Sequence, residues 1–367
     1  MEGKKGLLTG KGEILIAGAV IGLCAVLLQY AGNPANMGVC VACFLRDIAG
    51  ALGLHQAAPV QYLRPEIPAF VLGSLAAAMV GGEFRARAGS APLLRFFLGM
   101  AAMAGALVFL GCPWRVLLRL AGGDGNALFG FAGLLSGIYL GHRFYKAGFA
   151  LPASQVQSSF SGLVMPLAAV GLLAARLLLS PEPATATSTG TLGWLWASVK
   201  GPGAAHAPLL ASVGGGLLIG VLAQRSRFCT VGSLRELFSL RQMHLIYGVA
   251  TFLLAALIGN LVLGQFHPGF EGQPVAHTAS LWNFLGMVVA GLAFSLAGGC
   301  PGRQLILAGE GSNDAGVFVL GMLTAGALAH NMGWASSPAG PGPNALAVVL
   351  VGLGFCLAVG FFNRKRA

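Results

Sequence analysis

Cysteines and arginines recur together at fixed spacings in two halves of this sequence. Cys40 stands six residues before Arg46, and Cys229 stands six residues before Arg235, with an acidic residue after each arginine. The segments Gly-Cys-Pro-Trp-Arg and Gly-Cys-Pro-Gly-Arg form a second matched pair, whose cysteines and arginines are Cys112, Arg115, Cys300 and Arg303. Cations and helix N-termini favour the thiolate, the nucleophilic form of cysteine. These cysteines are therefore candidates for handling an anion.

Each of these motifs also has a structural interpretation. Gly-Cys-Pro-x-Arg is compatible with a helix broken by proline, in which a small cysteine is buried and the arginine reaches the membrane interface. Its occurrence in both halves favours the functional interpretation. Arg46 and Arg235 are compatible with the ends of short helices, with ion pairs to the acids beside them, or with guidance of an anion toward the cysteines.

Cys43 is the one cysteine of these motifs that has no counterpart in the other half. Cys40 and Cys43 have the C-x-x-C spacing of redox sites and of half a zinc site. A zinc site would need a second pair of ligands, and the position that matches Cys43 is Gly232. We therefore predict no metal and no cofactor. The pair still supports one alternative function, that of a membrane thiol-disulfide oxidoreductase.

Two histidines also occupy matching positions. His142 and His330 lie near the ends of predicted helices, and Gly133, Gly137 and Gly141 precede the first at four-residue intervals. Small residues at this interval let membrane helices pack closely. The histidines are compatible with helix packing or with a proton relay beside a membrane pathway, so we treat them as supporting residues.

The elements that must position these residues are membrane helices. The 367 residues are 56% hydrophobic and only 9% charged, whereas soluble domains carry about 25% charged residues. A helix needs about 20 apolar residues to cross a membrane. Ten apolar stretches approach that length, near Glu13–Tyr30, Glu66–Gly82, Leu93–Gly111, Ala127–Gly141, Phe160–Leu179, Pro208–Gln224, Leu245–Phe266, Leu281–Gly299, Ala315–Trp334 and Ala345–Phe362. No cleavage site follows the first stretch, which is expected to be retained.

The charges indicate how the chain crosses the membrane. The net charge of +11 comes from residues at the ends of apolar stretches rather than from a basic module, which argues against nucleic acid as a partner. If the N-terminus is cytoplasmic and all ten stretches cross, most cations fall on the inside, among them Lys4, Lys5, Arg241, Lys365 and Arg366. The outer segments then hold Arg46, Arg64, Arg115, Arg119 and Lys200. We predict a multi-pass protein of the bacterial cytoplasmic (inner) membrane, with both termini in the cytoplasm.

Each half contains five apolar stretches, and an odd number means that the second half enters the membrane in the opposite sense. Inverted repeats of this kind characterise many transporters, which bind substrate near the midplane between broken helices. We predict an all-α polytopic membrane protein with a first repeat over residues 1–180, an exposed linker over 181–205 and a second, inverted repeat over 206–367. No nucleotide-binding loop or hydrolase motif occurs, so we do not expect an enzyme.

The paired Cys-x5-Arg-acid and Gly-Cys-Pro-x-Arg elements resemble the YeeE/YedE family of sulphur-compound membrane transporters over nearly the whole chain. The segment Asn-Met-Gly-Val-Cys-Val-Ala-Cys is most similar to the YedE branch, which is associated with selenium metabolism. The resemblance implies short broken or re-entrant helices around an hourglass-like central path, along which cysteine thiols pass on the anion. It also implies import of a small selenium or sulphur anion, such as thiosulfate, and a small cytoplasmic partner protein that handles sulphur or selenium.

The resemblance assigns roles to individual residues. Cys112, Cys229 and Cys300 match the cysteines of the family's path, and Cys40 is the repeat counterpart of Cys229. Cys43 is an additional cysteine that the family's three-cysteine pattern lacks. The choice between a selenium compound and a sulphur compound as the substrate therefore stays open. Arg115 and Arg303 are expected to offset the cost of bringing a negative charge into the membrane. A channel or carrier in which the cysteines only pack is a further alternative.

Overall fold

The computed structural model describes residues 11–184, 194–239 and 244–364. This part of the chain forms fourteen α-helices and four very short strands. The helices are α1 (Lys11–Tyr30), α2 (Val41–Ala51), α3 (Glu66–Val80), α4 (Pro92–Phe109), α5 (Pro113–Ala121), α6 (Asn126–Lys146), α7 (Val164–Leu178), α8 (Leu209–Ser226), α9 (Thr230–Ser239), α10 (Ile246–Val262), α11 (Ser280–Ala297), α12 (Pro301–Gly309), α13 (Asn313–Asn331) and α14 (Ala345–Phe362). Strand β1 (Arg87–Ala88) pairs antiparallel with β2 (Gln155–Val156), and β3 (Glu182–Ala184) pairs parallel with β4 (Trp196–Ser198).

The predicted class, an all-α polytopic membrane protein, is confirmed. Six helical stretches of the described chain are long and apolar enough to cross a membrane, and α3 and α10 are apolar but shorter. The six stretches are Gly12–Tyr30, Pro92–Ala121, Ser161–Leu178, Leu209–Ser239, Ser280–Gly309 and Ala345–Phe362. Each of the ten apolar stretches of the sequence forms a helix. That all ten cross the membrane stays a prediction.

Four further helices, α2, α5, α9 and α12, are short and each begins directly after a cysteine of the repeated motifs. They contain between 9 and 11 residues. At about 1.5 Å per residue, such a helix covers about half of the hydrocarbon core. Pro113 and Pro301 occupy the first helical position of α5 and α12, where a fixed φ favours the helix and no hydrogen bond is lost. These four helices are the short helices that the family resemblance implies.

Helices of one half pack mainly on helices of the other half. Helix α1 packs on α10 and α8 packs on α3, while α6 packs on α11 and α13 packs on α4. The repeated motifs make α1 and α8 counterparts, and likewise α3 and α10, α4 and α11, and α6 and α13. Exchanging each helix for its counterpart therefore leaves the set of packed pairs unchanged. The two halves are interlocked rather than separate bodies.

Glycines allow this close packing. A Cβ atom on Gly133 would lie 2.1 Å from the carbonyl oxygen of Phe284, and one on Gly321 would lie 2.1 Å from that of Phe96. Gly133 and Gly321 are counterparts, as are Phe284 and Phe96, so the same contact occurs in both halves. Because Cβ atoms never approach a carbonyl so closely, the α6–α11 and α4–α13 pairs require glycine at these positions.

The described part of the predicted linker lies against the first half. Its residues are partly exposed, but Leu195 and Ser198 are buried, and the Gln61 backbone N–H donates to the Ser198 hydroxyl at 2.8 Å. Residues 185–193 of the linker lie outside the described residues, as do Lys4, Lys5, Arg241, Lys365 and Arg366. The boundaries at 180 and 205 and the inverted orientation of the second half stay predictions.

Four cations that the sequence placed in outer segments are buried in the protein. Arg46 is 2% exposed, and Arg64, Arg115 and Arg119 are 0% exposed. They belong to the short helices α2 and α5 or to the segment before α3. Of those five cations only Lys200 is exposed. The assignment of the four arginines to the outer side of the membrane stays a prediction.

Candidate functional site

Two pairs of thiols lie where the N-termini of the short helices meet. Cys40 precedes α2 and Cys112 precedes α5, and their Sγ atoms are 3.8 Å apart. Cys229 precedes α9 and Cys300 precedes α12, and their Sγ atoms are 3.9 Å apart. We call Cys40 and Cys112 the first thiol pair and Cys229 and Cys300 the second thiol pair. The structure thus brings the repeated cysteines together two by two, one pair in each half.

Three of the four thiols take the place of the usual helix caps, whereas the Cys112 thiol accepts no such hydrogen bond at the start of α5. The first N–H groups of a helix lack partners within it, and a side-chain oxygen of Ser, Thr, Asp or Asn normally accepts from one of them. Here the backbone N–H of Cys43 donates to Cys40 Sγ at 3.4 Å, and that of Gly232 donates to Cys229 Sγ at 3.3 Å. The backbone N–H of Arg303 donates in the same way to Cys300 Sγ at 3.4 Å.

The helix N-termini place partial positive charge at both thiol pairs. The N-terminus of a helix carries a partial positive charge and readily binds anions. Two such N-termini meet at each thiol pair. The cysteines of the first pair and Cys300 are 0% exposed, and Cys229 is 6% exposed, so little water screens this field.

Cys43 and Arg115 extend the first thiol pair. The Sγ atom of Cys43 lies 3.0 Å from that of Cys40, and Arg115 Nη1 donates to Cys43 Sγ at 3.4 Å. The remaining donors of Arg115 bind backbone carbonyl oxygens, those of Asn36, Leu110, Pro274 and Val275. Within the described residues, no carboxylate is among the partners of Arg115. A buried guanidinium group therefore lies beside the first thiol pair. Among its hydrogen-bond partners, only the dipoles of backbone carbonyl groups and the Cys43 thiol offset its positive charge.

Arg303, the counterpart of Arg115, has different partners. Its Nη1 atom donates to Glu310 at 3.1 Å, and its side chain is 13% exposed. Glu310 also pairs with Arg227 at 3.1 Å and with Arg87 at 3.6 Å. We call Arg87, Arg225, Arg227, Arg303, Glu83 and Glu310 the arginine cluster, because Arg225 and Arg227 pair in turn with Glu83. The cluster carries more positive than negative charges next to the second thiol pair.

The supporting arginines contact groups other than the four repeated thiols. Arg46 Nη2 is 2.6 Å from Asp47, which also accepts from Arg64 Nε at 2.8 Å. This result agrees with the ion-pair interpretation of the first repeat. Arg235 instead lies over the ring of Tyr145, with 5.0 Å from its Cζ atom to the ring centroid. The matched Arg-acid motif thus forms different contacts in the two halves.

The supporting histidines lie at two separate places. The His330 ring is 4.6 Å from that of His55, whose Nε2 atom is 3.1 Å from the Arg46 carbonyl oxygen. His55 lies in the loop after α2, where burial lowers the pKa of its imidazole. His142 lines a surface cavity of about 380 Å³ with Arg143 and Lys146. The two matched histidines therefore do not share a site.

Trp114 is a residue of the motifs to which the sequence had assigned no role. Its indole is 1% exposed and packs against three phenylalanine rings, those of Phe70, Phe228 and Phe252, with centroids 5.8 to 6.3 Å away. Its counterpart is Gly302. The one clear sequence difference between the two Gly-Cys-Pro-x-Arg motifs, Trp against Gly, was a signal that this position is special.

Comparison with known proteins supports the family predicted from these motifs. Residues 225–362 match the family model described as sulphur transport. The family resemblance is confirmed. The matched residues include both cysteines of the second thiol pair. The thiosulfate transporter TsuA of Escherichia coli (strain K12) is 28% identical over 100 residues, a match that covers 26% of this chain and 27% of the length of that relative. The selenium-associated branch stays a prediction.

Proposed function

We propose that this protein is a transporter that imports a small sulphur- or selenium-containing anion, of the thiosulfate type, across the bacterial cytoplasmic membrane. The two thiol pairs are successive binding stations for the anion. The observation that carries the proposal is the duplicated arrangement itself, in which two cysteines stand at two meeting helix N-termini in each half. The match to the sulphur-transport family and the likeness to a thiosulfate transporter support the substrate class.

The chemistry of the stations suits such an anion. A charge that enters a low-dielectric interior must be compensated, and the meeting helix ends supply partial positive charge at both pairs. Arg115 adds a full positive charge at the first pair, 3.4 Å from Cys43 Sγ. Sulphur and selenium atoms are large and polarisable, as are the thiols, which donate only weak hydrogen bonds. Weak contacts let the anion leave each station again, as transport requires.

The predicted topology gives these stations an order. Under that topology the first thiol pair lies in the outer half of the protein, and the second pair lies in the inner half with the arginine cluster. An anion from outside would meet Cys40, Cys43 and Cys112 first. The arginine cluster, at the inner end, would then draw the anion onward and would also suit an acidic face on a small cytoplasmic partner protein.

Uptake by cells tests the proposal. Cells that lack other sulphur importers would express the wild type, Cys112→Ala or Cys300→Ala at equal membrane abundance, and would be given radiolabelled thiosulfate or selenite. We expect loss of most uptake in either variant, because each removes one thiol of a pair. Cys356→Ala is the matched control, since Cys356 is buried in α14 and is not part of either pair. Undiminished uptake in both pair variants would refute the thiol path.

One observation favours a second candidate function. Cys40 Sγ and Cys43 Sγ lie 3.0 Å apart, close enough for the two residues to act as a dithiol of a membrane thiol-disulfide oxidoreductase. The variant Cys43→Ser separates the two functions. Transport is expected to persist in Cys43→Ser and to fail in Cys300→Ala. Loss of function in Cys43→Ser with full function in Cys300→Ala would instead support the oxidoreductase.

A further inference from the structure

Trp114 lies where the Gly-Cys-Pro-x-Arg motif of the first half contacts that of the second half. It follows Cys112 by two residues, and its counterpart Gly302 follows Cys300 by two residues. The indole touches this counterpart directly, since a Cβ atom on Gly302 would lie 2.6 Å from Cζ2 and 2.9 Å from Cε2 of Trp114. A residue in contact with its own repeat counterpart lies where the two halves meet. The indole therefore lies at the contact between the two motifs.

The surroundings of the indole leave little room for an anion to pass. Phe228, which precedes Cys229, has its ring centroid 5.8 Å from that of Trp114, and Phe70 and Phe252 complete an aromatic cluster. All four rings are buried. Buried apolar rings therefore surround the contact between the two motifs. An anion that crosses at this contact must displace the indole or slide along it.

The indole also carries a polar group without a partner. Trp114 Nε1 is buried and has no hydrogen-bond partner within the described part of the chain. A buried indole N–H normally finds an acceptor, because an unsatisfied donor is costly. Nε1 is bonded to Cε2, one of the ring atoms that face Gly302 at the N-terminus of α12. The indole N–H, which lacks a partner, therefore lies near the side of the ring that faces the motif of the second thiol pair.

We propose that Trp114 is the gate between the two thiol pairs and that its Nε1–H donates a hydrogen bond to the anion as it passes from the first pair to the second. This inference rests on the proposed transport function and adds a substrate-contacting residue to it. The gate is asymmetric, because the first half supplies the tryptophan and the second half supplies only the glycine that makes room for it. The ligand class is a small oxyanion, whose oxygen atoms accept from the indole N–H.

Transport by the purified protein in liposomes tests the gate. Trp114→Phe keeps an aromatic ring and removes the N–H, so radiolabelled thiosulfate uptake should fall on the order of tenfold, as expected for the loss of a hydrogen bond to a charged group. Trp114→Ala removes the barrier as well, so liposomes preloaded with labelled sulfate should leak. Trp282→Phe is the matched control, because Trp282 packs beside α14 with Val108 and Val289. We expect wild-type uptake and no leak from it.

The same liposomes separate failure of the gate from failure of the transport function. Cys112→Ala and Cys300→Ala are measured beside the tryptophan variants. Wild-type uptake by Trp114→Phe, with uptake lost in the cysteine variants, would overturn the role of Trp114 and leave the thiol path intact. Wild-type uptake in both cysteine variants would refute the thiol path instead. Absence of sulfate leak from liposomes with Trp114→Ala would overturn the gate. If that variant does not fold, thiosulfate uptake by Trp114→Phe tests the role of Trp114.

Discussion

Replacing Asp47 by asparagine should destabilise the protein strongly. Asp47 is 0% exposed and accepts from two buried arginines, at 2.6 and 3.0 Å from Arg46 and at 2.8 Å from Arg64. The asparagine side chain has the same shape but no negative charge, and it retains a single acceptor oxygen. Asp47→Asn therefore leaves two buried guanidinium groups without a counter-charge.

The size of the effect follows from burial. Removing one partner of a buried ion pair costs about 3–5 kcal/mol, because the other charge stays in a low-dielectric environment. Arg64 keeps its bonds to the carbonyl oxygens of Pro202 and Ala205, which places the expected loss at the lower end, about 3 kcal/mol. Glu83→Gln provides a control, because Glu83 and Arg227 are 36% and 47% exposed and such pairs contribute about 0–1 kcal/mol.

Equilibrium unfolding in mixed detergent micelles, followed by circular dichroism, measures both free energies. The reasoning predicts a loss for Asp47→Asn that clearly exceeds the loss for Glu83→Gln. Equal losses from the two variants would show that burial of the Asp47 cluster does not control its contribution. The explanation of why Arg46 and Arg64 can be buried would then be wrong.

Two further predictions concern packing and the first thiol pair. Gly133→Ala should sharply lower the amount of folded protein in the membrane, because the new Cβ would lie 2.1 Å from the Phe284 carbonyl oxygen. Gly171→Ala should leave that amount unchanged, because its new Cβ would meet no neighbouring group within 4 Å. Equal abundance of the two variants would contradict the packing argument. Arg115→Lys keeps the charge but cannot donate to the separate carbonyl oxygens that the guanidinium binds, so it should lower the free energy of unfolding by about 2 kcal/mol and reduce thiosulfate uptake. Wild-type stability of Arg115→Lys in the same micelles would show that this fork of donors is dispensable.

Much of the architecture could be predicted because membrane helices and repeats leave strong local signals. The ten apolar stretches all form helices, and the glycine ladder before His142 marks a close contact. The duplicated Cys, Pro and Arg positions indicated a resemblance to sulphur transporters, with which the family-model match over residues 225–362 agrees. These signals depend only on hydrophobicity and on spacing along the chain, and both can be read without a fold.

The four short helices were harder to recognise. Each has 9 to 11 residues and contains charged side chains, so none resembles a membrane span. Nor did the sequence indicate that the side chains of Arg46, Arg64, Arg115 and Arg119 are buried. These side chains can be buried because backbone carbonyl groups distant in the sequence accept their hydrogen bonds. The Val275 carbonyl oxygen accepts from Arg115, and the Pro202 carbonyl oxygen accepts from Arg64. Spacing along the chain cannot reveal such partners.

The sequence by itself determined which residues are duplicated and that they belong in a membrane. Only the tertiary structure decided that Cys40 meets Cys112, that Cys229 meets Cys300, and that Trp114 contacts Gly302. It also gave Arg115 and Arg303 different surroundings although their motifs match. The physical reason is that a motif fixes the local backbone, whereas contacts and charge balance also depend on segments distant in the sequence that pack against it.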